Sequence, residues 1–119
     1  RMCYNIVRQY DEHAEVFASF SHSWTDISNV GWYTSKDIVD LLNTYSRVEG
    51  DFQWAMAYHS YAQSLFNPCT WLDPDATYSM DTKYITFKNL EVLNKWALSK
   101  ENKYKGTFRG RCKFSYIFR

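Results

Sequence analysis

Two histidines follow apolar, strand-like runs of the sequence. Residues 16–21 lead into His22-Ser23-Trp24, and residues 52–58 lead into His59-Ser60-Tyr61. Imidazole nitrogens exchange hydrogen bonds with polar ligands, and aromatic rings offer faces on which sugars and bases stack. Ligands of parallel α/β folds collect at the carboxyl ends of strands, so the repeated His-Ser-aromatic triplet predicts a ligand-binding site. The alternative is that each histidine is hydrogen-bonded at a strand end and meets no ligand.

The composition favours a sugar over a nucleic acid as the ligand. The chain of 119 residues has a formal net charge of +1, with 23% charged residues, which leaves no broad electrostatic footprint for nucleic acid or a membrane surface. Basic residues concentrate in residues 100–119, which could bind anions, although the pattern is more typical of a solvated segment or a chain end. No apolar run approaches transmembrane length. We therefore expect a carbohydrate partner, no nucleic acid and no membrane.

Potential metal ligands have no diagnostic spacing. The sequence contains three widely separated cysteines, Cys3, Cys69 and Cys112, and no Cys-x-x-Cys pair. A metal shared by His22 and His59, with Asp26 or Asp81 completing the set, is a further hypothesis. Nothing in the spacing favours it, and we expect neither a metal nor a cofactor.

The residue patterns predict that strands and helices alternate. The predicted elements are the end of a helix over residues 2–10, a strand over 16–21, a helix from Thr34 or Ser35 to Gly50, a strand over 54–58 covered on both faces, a long loop over about 62–82, a helix capped by Thr86, and a strand over 112–118.

This alternation implies a parallel sheet with crossover helices. One helix between successive strands can hardly cover both faces of a sheet, so we expect the chain to be part of a larger α/β fold. A connection as long as residues 62–82 is typical of a lid or binding loop.

Four linked motifs resemble an uncharacterised family of glycoside-hydrolase-like (β/α)8 barrels, which is a domain-of-unknown-function family. The motifs are VFASFSHSW (residues 16–24), EGDFQWAMAYHSY (49–61), NPCTW (67–71) and DTKYITFKNLEVL (81–93). The resemblance covers about residues 1–106, and residues 107–119 depart from the family pattern. It implies that residues 1–119 form a single partial domain: an α/β, partial TIM barrel with three parallel strands and crossover helices, corresponding roughly to strands five to seven.

The resemblance also implies where catalytic groups should lie. Glycosidase barrels of this type place an acid/base Glu after strand four and a nucleophile Glu at the end of strand seven. Glycoside hydrolysis requires such a carboxyl pair. On this correspondence the chain starts just after the first carboxylate and stops at the second. The loop acids on the active-site end, Asp26, Asp73, Asp75 and Asp81, do not directly follow strands, and residues 109–119 contain no acid. We assign no catalytic residue, and the chain alone is expected to be inactive.

The sugar-contacting residues implied by this reasoning come from the strand ends and the long loop. His59 and His22 would hydrogen-bond to sugar hydroxyls, while Tyr61, Trp24 and Trp71 would supply stacking faces. The alternative function is a non-catalytic carbohydrate-binding or interaction module. An open sheet also predicts self-association through its exposed edges.

Overall fold

The computed structural model describes residues 1–27, 31, 33–104 and 107–108. Within them the elements are α1 (Met2–Tyr10), β1 (Phe17–Phe20), α2 (Ser35–Val48), β2 (Ala55–Tyr58), a 3₁₀ helix (Thr70–Leu72), α3 (Leu90–Leu98), a second 3₁₀ helix (Lys100–Asn102), β3 (Lys103–Tyr104) and β4 (Thr107–Phe108). The described chain is therefore a small α/β structure. The third predicted strand, over 112–118, lies outside the described residues.

Strands β1 and β2 form the parallel pair that the sequence predicts, with α2 between them. The register runs from Phe17 opposite Ala55 to Phe20 opposite Tyr58. The amide of His59 continues the ladder by donating to the Phe20 carbonyl at 2.9 Å. The carboxyl ends of both strands therefore lie at the same end of the sheet, and His22 and His59 follow them there. Strands β3 and β4 form a separate antiparallel pair.

The local signals at the ends of α2 are also confirmed. Thr34 is the N-cap residue, and its hydroxyl accepts a hydrogen bond from the Asp37 amide at 3.0 Å. Gly50 follows the helix with φ of +84°, the left-handed conformation that glycine adopts without steric cost. These two residues determine where α2, the crossover helix between β1 and β2, begins and ends.

The predicted start of α3 is wrong by one turn. Residues before Leu90 form a turn in which the Asn89 amide donates to the Thr86 carbonyl at 3.2 Å. The Asn89 side chain accepts from the Thr86 amide at 2.8 Å. The Thr86 hydroxyl accepts from the Lys88 amide at 3.3 Å within this turn, so it caps the turn, and the helix begins at Leu90 with Asn89 as its N-cap residue.

The core covers one face of the β1–β2 sheet. Its buried members are Phe20, Trp24, Val39, Phe52, Trp54, Met56, Ile85, Val92, Leu93, Trp96 and Ala97. Phe20 and Met56 are buried, whereas Phe17 and Ser19, on the opposite face of β1, are exposed. Residues 54–58 were predicted to be covered on both faces, but within the described residues the second face is open.

Helix α2 presents its apolar stripe outward. Ile38, Leu41, Tyr45 and Val48 are exposed, while its buried residues are Ser35, Val39, Asn43 and Ser46. The buried Asn43 amide donates to the side-chain oxygen of Asn102 at 2.8 Å and to the Glu101 carbonyl at 3.1 Å. These hydrogen bonds stabilise a polar contact between α2 and the segment after α3.

Candidate functional site

His59 lies between two hydroxyl groups at the ends of the strands. Its Nε2 is 2.9 Å from Ser19 Oγ, and its Nδ1 is 3.0 Å from the Tyr61 hydroxyl. Ser19 pairs with Ala57, and side chains two residues apart share a face of a strand, so the register places Ser19 and His59 together. A neutral imidazole has one donor and one acceptor nitrogen, so both can be used at once. The ring is therefore held from both sides while it remains exposed.

His22 forms the second half of the site. Its ring stacks on Tyr84, with centroids 5.4 Å apart and planes 19° apart, and meets the edge of Tyr61 at 6.4 Å. Tyr61 thus contacts both histidines. The His22 carbonyl accepts from the Ile85 amide at 2.9 Å, which ties the end of β1 to the segment before α3.

Burial and nearby carboxylates act on His22 in opposite directions. Burial lowers its pKa below the usual value of 6.5, because it disfavours the charged imidazolium. Asp73 and, to a smaller extent, Asp26 oppose this shift, since their negative charges favour the cation. Burial dominates, and His22 is therefore neutral at neutral pH.

Two loop carboxylates reach this neighbourhood from different parts of the chain. Asp26 accepts a hydrogen bond from the Tyr84 hydroxyl at 2.7 Å. Asp73 is only 6% exposed, and its Oδ2 has no hydrogen-bond partner. The Lys88 ammonium donates to the Asp73 main-chain carbonyl, not to its carboxylate. A buried, unpartnered carboxylate oxygen is costly and calls for a functional explanation.

A hydrogen-bonded turn before α3 positions Tyr84. Asn89 is fully buried, and its amide donates to the carbonyls of Thr77 at 2.6 Å and Tyr84 at 3.0 Å. The Thr82 hydroxyl lies 3.1 Å from the Tyr84 carbonyl. In addition, the Trp24 amide donates to the Lys83 carbonyl at 2.8 Å. The long loop thus returns alongside the end of β1 and brings Tyr84 to His22.

The structure brings three of the five predicted site residues together: His59, Tyr61 and His22. Trp71 is 70% exposed on the first 3₁₀ helix, and none of the ring contacts around the histidines in the described residues involves it. Trp71 remains a predicted stacking face for a sugar, but it takes no part in these ring contacts.

Trp24 belongs to the core, which corrects its assignment as a stacking face. It is 0% exposed, its indole N–H donates to the Met80 carbonyl at 3.1 Å, and its ring meets Trp96 edge-on at 6.2 Å. A sugar has no access to a ring so enclosed. The reason is that the chain turns back after His22 and directs Trp24 beneath the returning loop.

Sequence reasoning missed two members of the site. Ser19 could have been found by placing the two apolar runs in parallel register, because it lies on the His59 face. Tyr84 had no such signal, since its position depends on the pairing of the returning loop with residues 22–25.

The described residues contain no group of three His, Cys, Asp or Glu side chains arranged to hold a metal ion. The hypothesis of a metal shared by His22 and His59 therefore has no coordinating set there. None of the helices described is long and apolar enough to cross a membrane.

The fold and the site define a small α/β structure with a polar, aromatic cluster at the carboxyl ends of two parallel strands. A family model described as a family of unknown function (DUF5722) matches residues 1–111, and the chain belongs to this family. Membership of a domain-of-unknown-function family, predicted from the motifs, is thereby confirmed. Comparisons with curated proteins and with solved structures gave no match.

Proposed function

We propose that this chain contributes sugar-contacting residues to a glycoside-hydrolase-like, carbohydrate-active protein and lacks the catalytic carboxylate pair. The observation that carries the proposal is the joining of two strand-end histidines by Tyr61. Its hydroxyl lies 3.0 Å from His59, and its ring meets the edge of His22. Such convergence of polar groups at strand ends is typical of ligand sites in parallel α/β folds.

The chemistry of the cluster suits a sugar. Ser19, His59 and Tyr61 provide hydrogen-bond donors and acceptors that match hydroxyl groups. Tyr61 is 52% exposed, which leaves part of its ring available to the apolar face of a pyranose. Trp71 is a further exposed aromatic ring in the loop after β2.

Binding without catalysis agrees with the positions of the nearby acids. Asp26 is engaged by the Tyr84 hydroxyl, and Asp73 is buried. Neither directly follows a strand, where glycosidase carboxylates usually stand. The open second face of the β1–β2 sheet supports the related proposal that the strands belong to a (β/α)8 barrel.

The test is calorimetric titration of the chain with a panel of neutral oligosaccharides, alongside a reducing-end assay for hydrolysis. We expect saturable binding without product formation. His59→Gln should weaken binding about tenfold, because it removes the imidazole from a hydrogen-bonded site. His13→Gln is the matched control, since His13 is exposed near the other end of β1. Absence of binding to every glycan, or equal effects of both variants, would contradict the proposal.

A further inference from the structure

His22 has a carboxylate fixed beside its stacking partner. The Tyr84 ring stacks on the imidazole at 5.4 Å, and the Tyr84 hydroxyl donates to Asp26 at 2.7 Å. Asp26 therefore cannot swing freely into solvent without losing this hydrogen bond. Its negative charge is held close to the His22 side of the site.

A second carboxylate acts on His22 from the long loop. Asp73 is more than nine-tenths buried, and its Oδ2 lacks a hydrogen-bond partner. Two lysines lie nearby without bonding to the Asp73 carboxylate: Lys88 donates to the Asp73 main-chain carbonyl, and Lys83 lies 3.7 Å from Asp75. Buried charges are screened less by water and salt than exposed ones, so the field of Asp73 reaches His22.

His22 does not neutralise these charges at neutral pH. Burial keeps its imidazole uncharged, so it offers a ligand a neutral donor or acceptor. The candidate site therefore combines hydroxyl and imidazole hydrogen-bonding groups with a negative potential on its His22 side. A neutral polyol can use the hydrogen-bonding groups, whereas an anion would be repelled by the negative potential.

We propose that the site binds uncharged, hydroxyl-rich sugars and discriminates against sugars that carry a carboxylate. This inference rests on the proposed carbohydrate function and adds the class of sugar. Asp26, held beside His22 by Tyr84, and the buried Asp73 act here as specificity determinants, because like charges repel where water screens them poorly. We expect a uronic acid to bind about tenfold more weakly than its neutral counterpart.

The experiment compares matched pairs of methyl glycosides: methyl galactopyranoside with sodium methyl galactopyranosiduronate, and methyl glucopyranoside with sodium methyl glucopyranosiduronate. Affinities are measured by NMR chemical-shift titration of the whole chain. Asp73→Asn should lower each neutral-to-acidic ratio severalfold, and the remainder is the contribution of Asp26. Asp11→Asn is the control, because it makes the same change in net charge at an exposed position before β1. The control should retain the discrimination of the unmodified chain.

A measurement on the unmodified chain covers the case in which Asp73→Asn does not fold. Replacing each uronate by its uncharged uronamide, which keeps the size of the C6 group, should restore the affinity of the neutral sugar, since the charge repulsion is removed. Equal or tighter binding of the uronates would overturn the inference while leaving the carbohydrate function intact. If neither member of any pair binds, the proposed function fails, and the inference fails with it.

Discussion

Ser19 Oγ lies 2.9 Å from Nε2 of His59, across the neighbouring ends of β1 and β2. The contact follows from the parallel register, which places both residues on the open face of the sheet. It constrains the orientation of a histidine that is otherwise exposed. An orienting contact of this kind should affect ligand binding more than stability.

Replacing Ser19 by alanine should therefore weaken sugar binding severalfold. Because the hydrogen bond is exposed, it adds little to stability, but the orientation it gives His59 is expected to contribute about 1 kcal/mol of binding free energy, roughly fivefold in affinity. Calorimetry measures the affinity, and urea unfolding should show a change of less than about 0.5 kcal/mol. Ser64→Ala, at an exposed loop position, is the control and should change neither quantity.

Replacing Trp24 by alanine should reduce the free energy of unfolding by about 3–5 kcal/mol, as expected for removal of a fully buried aromatic side chain. Trp71→Ala, which removes an exposed ring, should change it by less than about 0.5 kcal/mol. Urea titrations followed by far-ultraviolet circular dichroism give both values. Similar losses for the two variants would contradict the placement of Trp24 in the core.

Acidification should destabilise the fold through His22. Its folded-state pKa is lowered by burial, so near and just below pH 6.5 the unfolded chain binds more protons at this residue than the folded chain. Stability should then rise with pH through the window from the lowered folded pKa to about 6.5. Above this window the contribution is constant.

Unfolding free energies measured across this pH range in the original chain and in His22→Gln provide the test. The variant should show a shallower dependence on pH, because its side chain does not titrate. The groups acting on His22 include Asp73 and Asp26, while Tyr84 and Tyr61 are its ring neighbours. A slope in His22→Gln equal to that of the original chain would contradict this role of His22.

The isolated chain should self-associate, because several large apolar side chains of α2 are exposed. Leu41 is 48% and Tyr45 is 62% exposed, and they lie one turn apart. The double variant Leu41→Glu/Tyr45→Glu should shift sedimentation toward the monomer, whereas Thr44→Glu adds a charge beside them without removing apolar surface. If the double variant sediments like the original chain, association occurs through the exposed sheet edges that the sequence predicts. A monomer at every concentration would contradict both routes.

The sequence was most informative where local chemistry decides structure. Capping by Thr34 and the end of α2 at Gly50 depend on neighbouring residues, and both are present as predicted. The repeated His-Ser-aromatic triplet and the parallel arrangement together predicted that His22 and His59 lie at the same end of the two strands. Membership of a family with no known function is also shown.

Long-range pairing accounts for most of the differences. Trp24 and Tyr61 each end a His-Ser-aromatic triplet. Residues 82–85, which pair with residues 22–25, enclose Trp24 but leave Tyr61 half exposed. The same pairing brings Tyr84 to His22, which no local pattern could indicate. The Thr86 hydroxyl is used within the turn before α3 and does not cap the helix.

The most direct test of the central claim uses the three histidines as internal probes. Imidazole proton resonances are followed by NMR while a neutral oligosaccharide that binds calorimetrically is added. We predict saturable shifts for His59 and His22 at one common dissociation constant, with the exposed His13 unaffected. Shifts confined to His13, or saturation of binding with no change at His59 and His22, would contradict a sugar site at the ends of β1 and β2.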